Sequence, residues 1–298
     1  MARLATASLV TALCLAPAAW AAPVFVSFDA TGLGAVTATR DAFRAAIGGG
    51  TVAGANGSFG GLRREINWDG VPNALADPNA LPADFFNVNS PRGVVFSTPG
   101  TGFMVSANAG FATPTLFGFG NDFATFSAQR LFTAINSNTT DVSFFIPGTT
   151  TAATTTAFGA VFTDVEVAGL TRLEFFDENN ALMFSHDVLL SGNQGLSFAG
   201  VNVIGGAIGR VRITAGANTI VANGQLGNPS DDVVVMDDFL YAEPIQASAR
   251  VPEPATWALG GLGLLMALIR RRDGGHTGRR RLTAAADPTR RAARRPAG

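Results

Sequence analysis

Nine stretches between residues 24 and 242 set apolar side chains at every second position. They are VFVSFDA (24–30), RGVVFSTP (92–99), GFMVSA (102–107), TDVSFFIPG (140–148), FGAVFTDVEV (158–167), TRLEFFDENNALMFSHDV (171–188), GLSFAGVNV (195–203), GRVRITA (209–215) and DVVVMDDFLYA (232–242). Successive side chains of a strand point to opposite faces, so this period builds sheets with one buried face and argues against a helical bundle. The stretches are rich in Val, Phe, Ile and Thr and are separated by Gly, Asn, Pro and Ser, the residues of tight turns. Many short strands with turns between them predict an all-β fold, an antiparallel β-sandwich or jelly roll. The chain has 23 Phe against 1 Tyr, and Phe at alternate positions fills the space between two packed sheets.

The clearest unit is TRLEFFDENNALMFSHDV. Leu173 and Phe175 share a face on the way out, Asp177-Glu178-Asn179-Asn180 is turn-forming, and Leu182 and Phe184 share a face on the return, which predicts a β-hairpin. One short helix is expected over residues 39–49, where Ala42, Phe43, Ala46 and Ile47 fall at helical spacing. Thr39 or Asp41 is the candidate cap, and the glycine run at 48–50 is the stop. PGTTTAATTTA (147–157) reads as a loop of low complexity.

The N-terminus has the layout of a secretory signal peptide, with Arg3, an apolar run from Leu9 to Leu15 and the small-x-small site Ala19-Trp20-Ala21. Cleavage by signal peptidase is expected after Ala21. Cys14 is the single cysteine of the chain and leaves with this segment. The exported domain, residues 22–245, must then be stable without disulfides, through the size of its core. Charge is divided along the chain. Pro23 to Arg250 holds 19 acidic residues and 10 arginines, whereas the chain from Trp257 onward holds 10 arginines and 2 aspartates. An acidic folded region is a poor partner for nucleic acid, and no nucleic-acid contact is expected.

Little in the folded region suggests catalysis. His186 is its one histidine, and neighbouring Ser185 and Asp187 would point to the opposite face of the strand, so the three make no triad. His186 is expected at the surface or a rim. Acids cluster at the last strand as Asp231, Asp232, Asp237 and Asp238, with Asp29 at the end of the first. If the terminal strands are neighbours, Asp29, Asp237 and Asp238 would form a structural Ca²⁺ site, since Ca²⁺ takes carboxylate oxygens. Solvated aspartates are the preferred reading, and no other cofactor is expected. Trp68, with Asn67 and Asp69, admits two readings: a face for stacking and hydrogen-bonding a glycan, or a core indole with its N–H satisfied nearby. The core reading is preferred.

The C-terminal segment VPEPATWALGGLGLLMALIRRR (251–272) is the most informative part of the sequence. Thr256 to Ile269 as a helix spans roughly 21 Å, short of a bilayer core of about 30 Å. Arg270, Arg271 and Arg272 would hold that end on the cytoplasmic side, and the signal peptide sends the preceding domain outward. Val251, Pro252, Glu253 and Pro254, the glycine-containing apolar run and the arginine cluster together resemble the PEP-CTERM sorting signal of exported bacterial proteins. The resemblance implies a short transmembrane helix that anchors the protein transiently in the inner membrane. It also implies recognition by a membrane-embedded exosortase, cleavage near the Pro-Glu-Pro motif, and a Gram-negative host that makes exopolysaccharide. Residues 64–103 are similar to a segment that recurs in exported proteins of this kind. MDDFLYAEP (236–244) looks like the closing strand of lectin-like β-sandwiches, in which an Asp often secures loops. The sorting signal is assigned to residues 246–272. The basic tail 273–298 departs from the pattern, lacks apolar periodicity and reads as disordered.

These readings lead to a surface- or matrix-targeted, non-enzymatic β-sandwich protein that contacts exopolysaccharide. The alternatives are a carboxylate-based enzyme acting on polysaccharide, or a structural biofilm or surface-coat protein.

Overall fold

The computed structural model describes residues 22–221, 225–228 and 231–247. The signal segment 1–21, the sorting residues from Val251 to Arg272 with their expected helix, and the tail 273–298 lie outside these. In chain order the described elements are β1 (Val24–Thr31), α1 (Leu33–Ala46), β2 (Arg63–Ile66), α2 (Phe85–Val88), β3 (Val94–Ser97), β4 (Gly102–Val105), β5 (Phe132–Ile135) and β6 (Thr139–Phe144). They continue with β7 (Ala153–Thr154), β8 (Ala157–Thr163), β9 (Arg172–Phe176), β10 (Leu182–Asp187), β11 (Leu196–Ile204), β12 (Arg210–Thr214), β13 (Val235–Ala242) and β14 (Ile245–Gln246).

The expected antiparallel sandwich is what forms. One sheet runs β1-β11-β8-β13-β5-β4, with β2 also on β13, and the other runs β10-β9-β12-β6-β3. A small ribbon pairs β14 with β7. Each of the nine alternating stretches contains at least one strand. The strands without a sequence signal have physical reasons for lacking one. All four residues of β5 are buried, because both faces of the strand are covered, and a strand buried on both sides loses its alternation. In β2, three of four residues are charged, held by ion pairs of Arg44 and Arg63 with Glu65 and of Arg64 with Glu243. β7 lies inside the stretch that reads as a loop.

The main core fills the space between the sheets, with Ile66, Trp68, Phe96, Phe103, Phe132, Phe144, Phe158, Phe175, Phe239 and Tyr241 among its buried residues. β13 is buried along its whole length. It keeps β8 on one side, while its other side is divided: Met236 pairs with Phe132 of β5 and Phe239 with Ile66 of β2. Burial of this kind supplies roughly 1.5–3 kcal/mol per large apolar side chain.

α1 packs over β1 and β11 on the outer face of the larger sheet, burying Val36 and Phe43. It starts earlier than the sequence indicates, at Leu33 after Gly32, and no side chain caps it. The helical spacing extends upstream through Val36, two turns before Phe43. Asp41 therefore lies within the helix, paired with Arg40 and Arg44, and does not cap it. The hairpin of β9 and β10 forms as expected, with one correction. A bulge between Leu182 and Phe184 pairs Leu182 with Phe176 and Phe184 with Phe175. The bulge takes the two residues out of phase and leaves Leu182 exposed.

Candidate functional site

Trp68 is a core residue. β2 ends at Ile66, and a short 3₁₀ turn at Trp68–Gly70 swings the indole inward. It stacks on Phe132 with centroids 4.1 Å apart and planes 2° from parallel, and meets Phe86 and Phe239 edge-on. Its Nε1–H donates to the Asp237 carbonyl at 2.9 Å. That carbonyl lies at the gap between β5 and β2 along β13, so the indole continues the ladder where no strand does. The neighbours predicted with it are structural too. The Asn67 side chain accepts from the Asp69 amide at 2.9 Å, and Asp69 Oδ1 accepts from the amides of Gln129 and Arg130, each at 2.9 Å. With the indole fully buried, the glycan reading of Trp68, Asn67 and Asp69 gives way to the core reading.

Asp237 and Asp238 form a bulge in β13, two residues set against one of β8 between Met236–Phe162 and Phe239–Ala160. Both are buried. The Asp237 carboxylate accepts from the Phe126 amide at 2.6 Å, the Ser127 amide at 3.2 Å, the Ser127 hydroxyl at 2.8 Å and the Asp238 amide at 2.9 Å. It pins the 122–130 loop over the sheet, the loop-securing role that the MDDFLYAEP ending suggests. Asp238 Oδ1 is buried without a partner. Burial, and then the charge of Asp238, raises Asp237 well above the usual carboxylate range, and burial raises Asp238 as well.

Asp29 does not join them. β1 is separated from β13 by β11 and β8, a span of roughly 14 Å at the usual strand spacing. The candidate Ca²⁺ site of Asp29, Asp237 and Asp238 is therefore not assembled, because the terminal strands are not neighbours, and the preferred reading of solvated aspartates is corrected for Asp237 and Asp238, which are buried. Asp29 Oδ1 instead meets His186 Nε2 at 2.6 Å. Among the described residues no hydroxyl hydrogen-bonds His186, which is part of the seam between the sheet edges, in keeping with the rim position expected for it.

A different set of acids does converge. Asp164, Glu166 and Asp232 bring one carboxylate oxygen each within 4.8 Å of one another. Burial, with the charges of Glu166, Asp122 and Asp232, pushes Asp164 up to about 7. The sequence offers Asp232 as one of its terminal acids but gives no signal for the other two, because Asp164 and Glu166 belong to a stretch that reads as continuous strand.

Two accessible surfaces among the described residues carry charged and aromatic groups. A groove of about 600 Å³ beside the end of α1 is lined by Asp41, Arg44, Gly50, Phe59 and Arg63 among others, but both arginines are already paired with Glu65. The outer face of the smaller sheet carries Asp141, Glu174, Phe176, Arg210 and Arg212. Here the Arg210 guanidinium lies 3.8 Å over the Phe176 ring, and Arg212 makes a two-pronged pair with Asp141.

Residues 250–272 match the family model described as the PEP-CTERM protein-sorting motif. No curated protein and no solved structure matches the chain. The motif implies export, transient anchoring in a membrane and processing by an exosortase. No helix among the described residues is long and apolar enough to cross a membrane.

Proposed function

We propose that the PEP-CTERM motif delivers a non-catalytic β-sandwich to the surface or exopolysaccharide matrix of a Gram-negative cell, where it contacts polysaccharide through the outer face of its smaller sheet. The observation that carries the reading is the sorting motif at residues 250–272, placed directly after the last strand of a disulfide-free sandwich. Three structural features favour a binding or structural role over catalysis. The paired acids of β13 are buried and hold a loop. The lone histidine of the domain bonds an aspartate across a seam. The aromatic cluster around Trp68 is core. For saccharide contact the outer sheet face offers what the buried Trp68 does not: a partly exposed aromatic ring under a guanidinium, with carboxylates and amides beside it.

The test is the mass and C-terminal peptide of the protein recovered from its host, with and without the exosortase. A C-terminus near Pro252-Glu253-Pro254 that depends on the exosortase supports the sorting half. Retention through Arg272 in both strains overturns it. Retention of the exported protein on host polysaccharide, reduced by F176A with R212A, supports the contact half. No retention at low salt points instead to a structural coat protein, and product release from the polymer replaces the non-catalytic reading with a carboxylate enzyme.

A further inference from the structure

Three carboxylates meet where β8 leaves the larger sheet and β13 enters it. Thr163 pairs with Val235, so an unbroken antiparallel ladder would set Glu166 directly opposite Asp232. Like charges facing each other across a ladder are unfavourable, and the ladder stops short of them. Asp164 turns into the left-handed region at φ 72°, and Val165 drops into the core. The acids that an extended ladder would have spaced regularly are gathered instead, with oxygens within 4.8 Å of one another. Asp122 adds a further negative charge nearby. Among the described residues, none of these acids is in an ion pair.

The second observation is the state of the oxygens themselves. Both carboxylate oxygens of Asp232 are closed off from solvent and have no hydrogen-bond partner. Asp232 as a residue is partly buried, and the amides of Glu166 and Val167 face its carboxylate and favour its charged form without closing a well-formed hydrogen bond on either oxygen. Asp164 is 4% exposed, and its Oδ1 accepts from the Gln194 amide at 3.1 Å. Buried carboxylate oxygens without protein donors are costly, and native proteins keep them where a bound water or a cation takes the place of the donors; where three carboxylates converge, a cation also offsets their mutual repulsion.

We infer that Asp164, Glu166 and Asp232 form a Ca²⁺ site that ties the segment after β8 to the segment leading into β13. Ca²⁺ holds oxygens at about 2.3–2.6 Å, so two oxygens on one ion lie up to about 5 Å apart, which the cluster already satisfies. Three carboxylates provide three to six of the six to eight oxygens that Ca²⁺ takes. Glu166 is the exposed member and forms the solvent side of the site. The site depends on local geometry and stands or falls independently of the sorting reading.

The experiment titrates Ca²⁺ alone into the exported protein after chelator treatment, by calorimetry and thermal melting, with Mg²⁺ as the parallel arm. The expected result is one saturable site with Kd in the range of about 10⁻⁴–10⁻³ M typical of extracellular modules, and a rise in Tm. E166Q changes an exposed residue, should not lower the metal-free Tm because it removes a like charge from the cluster, and should weaken binding by about tenfold through the lost ligand charge. D232N should abolish binding. If D232N does not fold, E166Q decides. Absence of heat and of any Tm shift up to about 10 mM Ca²⁺ overturns the site, since that exceeds the weakest extracellular modules. Binding unchanged in E166Q and D232N, or an equal response to Mg²⁺, overturns it as well.

Discussion

His186 Nε2 on β10 lies 2.6 Å from Asp29 Oδ1 on β1, and this contact joins the edge of one sheet to the edge of the other. Beside it Phe25 stacks on Phe184 at 4.7 Å, and Phe184 stacks on His186 at 5.9 Å. The seam thus has an aromatic part and a polar part. The polar pair is partly exposed on both sides, so its contribution is modest. A double-mutant cycle of D29A and H186A in urea is expected to give a coupling of about 0.5–1 kcal/mol. Added salt should lower it. A coupling of zero would leave the aromatic stack as the whole of the closure.

Trp68 serves stability. Trp68→Phe keeps the stack on Phe132 but leaves the Asp237 carbonyl without its donor, at a cost of about 1–3 kcal/mol. Trp68→Ala should cost about 3–5 kcal/mol. Trp20 lies in the expected signal segment and Trp257 in the sorting motif, so in the processed protein expected from them Trp68 is the tryptophan that reports on the domain. Its emission should be blue-shifted, resistant to iodide and unchanged by host polysaccharide. A saccharide-dependent change in emission would restore the glycan reading.

Stability should fall as the pH rises. A carboxyl whose pKa is raised by folding keeps a proton that the unfolded chain has released, so the unfolded state is favoured as pH climbs from the unfolded value near 4 through the folded one. Asp237 and Asp238 both have raised values, and Asp164, at about 7, acts in the same direction between about 4 and 7. The chelator-treated protein is expected to melt higher at pH 5 than at pH 8. Asp238→Asn removes one of two buried carboxyls and supplies an amide N–H₂ as donor. It should narrow the difference, with the gain appearing at pH 8 and not at pH 5. The same pH slope in D238N and in the native protein would show that the pair does not hold the proton.

What the sequence discloses depends on how local the determining contact is. Period two is local, so the strands from β8 to β13 are legible one by one, while β5, covered on both faces, is not. The hairpin is legible because Asp177 binds the amides of Asn179 and Ala181 within its own turn. Its bulge is not, since the register depends on how Phe184 meets Phe25. Asp237 could be read as a loop anchor, but its partners Phe126 and Ser127 are 111 and 110 residues away. The convergence of Asp164, Glu166 and Asp232 follows from the register of β8 against β13, which no local pattern encodes. The sorting motif is fully legible because it is a linear signal.

Gly159 on β8 and Gly200 on β11 stand opposite each other in register, and together they make the slot that seats α1. The Phe43 ring lies over this slot, fully buried, edge-on to Phe28 and Phe198. A Cβ on Gly159 would come within 2.9 Å of Phe198 Cζ, 3.0 Å of Gly200 Cα and 3.1 Å of Phe43 Cε1. Neither glycine has a positive φ, so space and not backbone freedom fixes the residue. Gly159→Ala should therefore cost about 1–3 kcal/mol by overpacking, despite the better strand propensity of Ala. The loss should appear first as faster amide exchange in α1, since the helix must lift to admit the methyl group. Gly34→Ala is the control of opposite sign. Nothing lies within 4 Å of its added Cβ, and the helix gains up to about 1 kcal/mol in propensity. If Gly159→Ala leaves both the urea midpoint and the exchange of α1 unmoved, the facing glycines have no part in seating the helix.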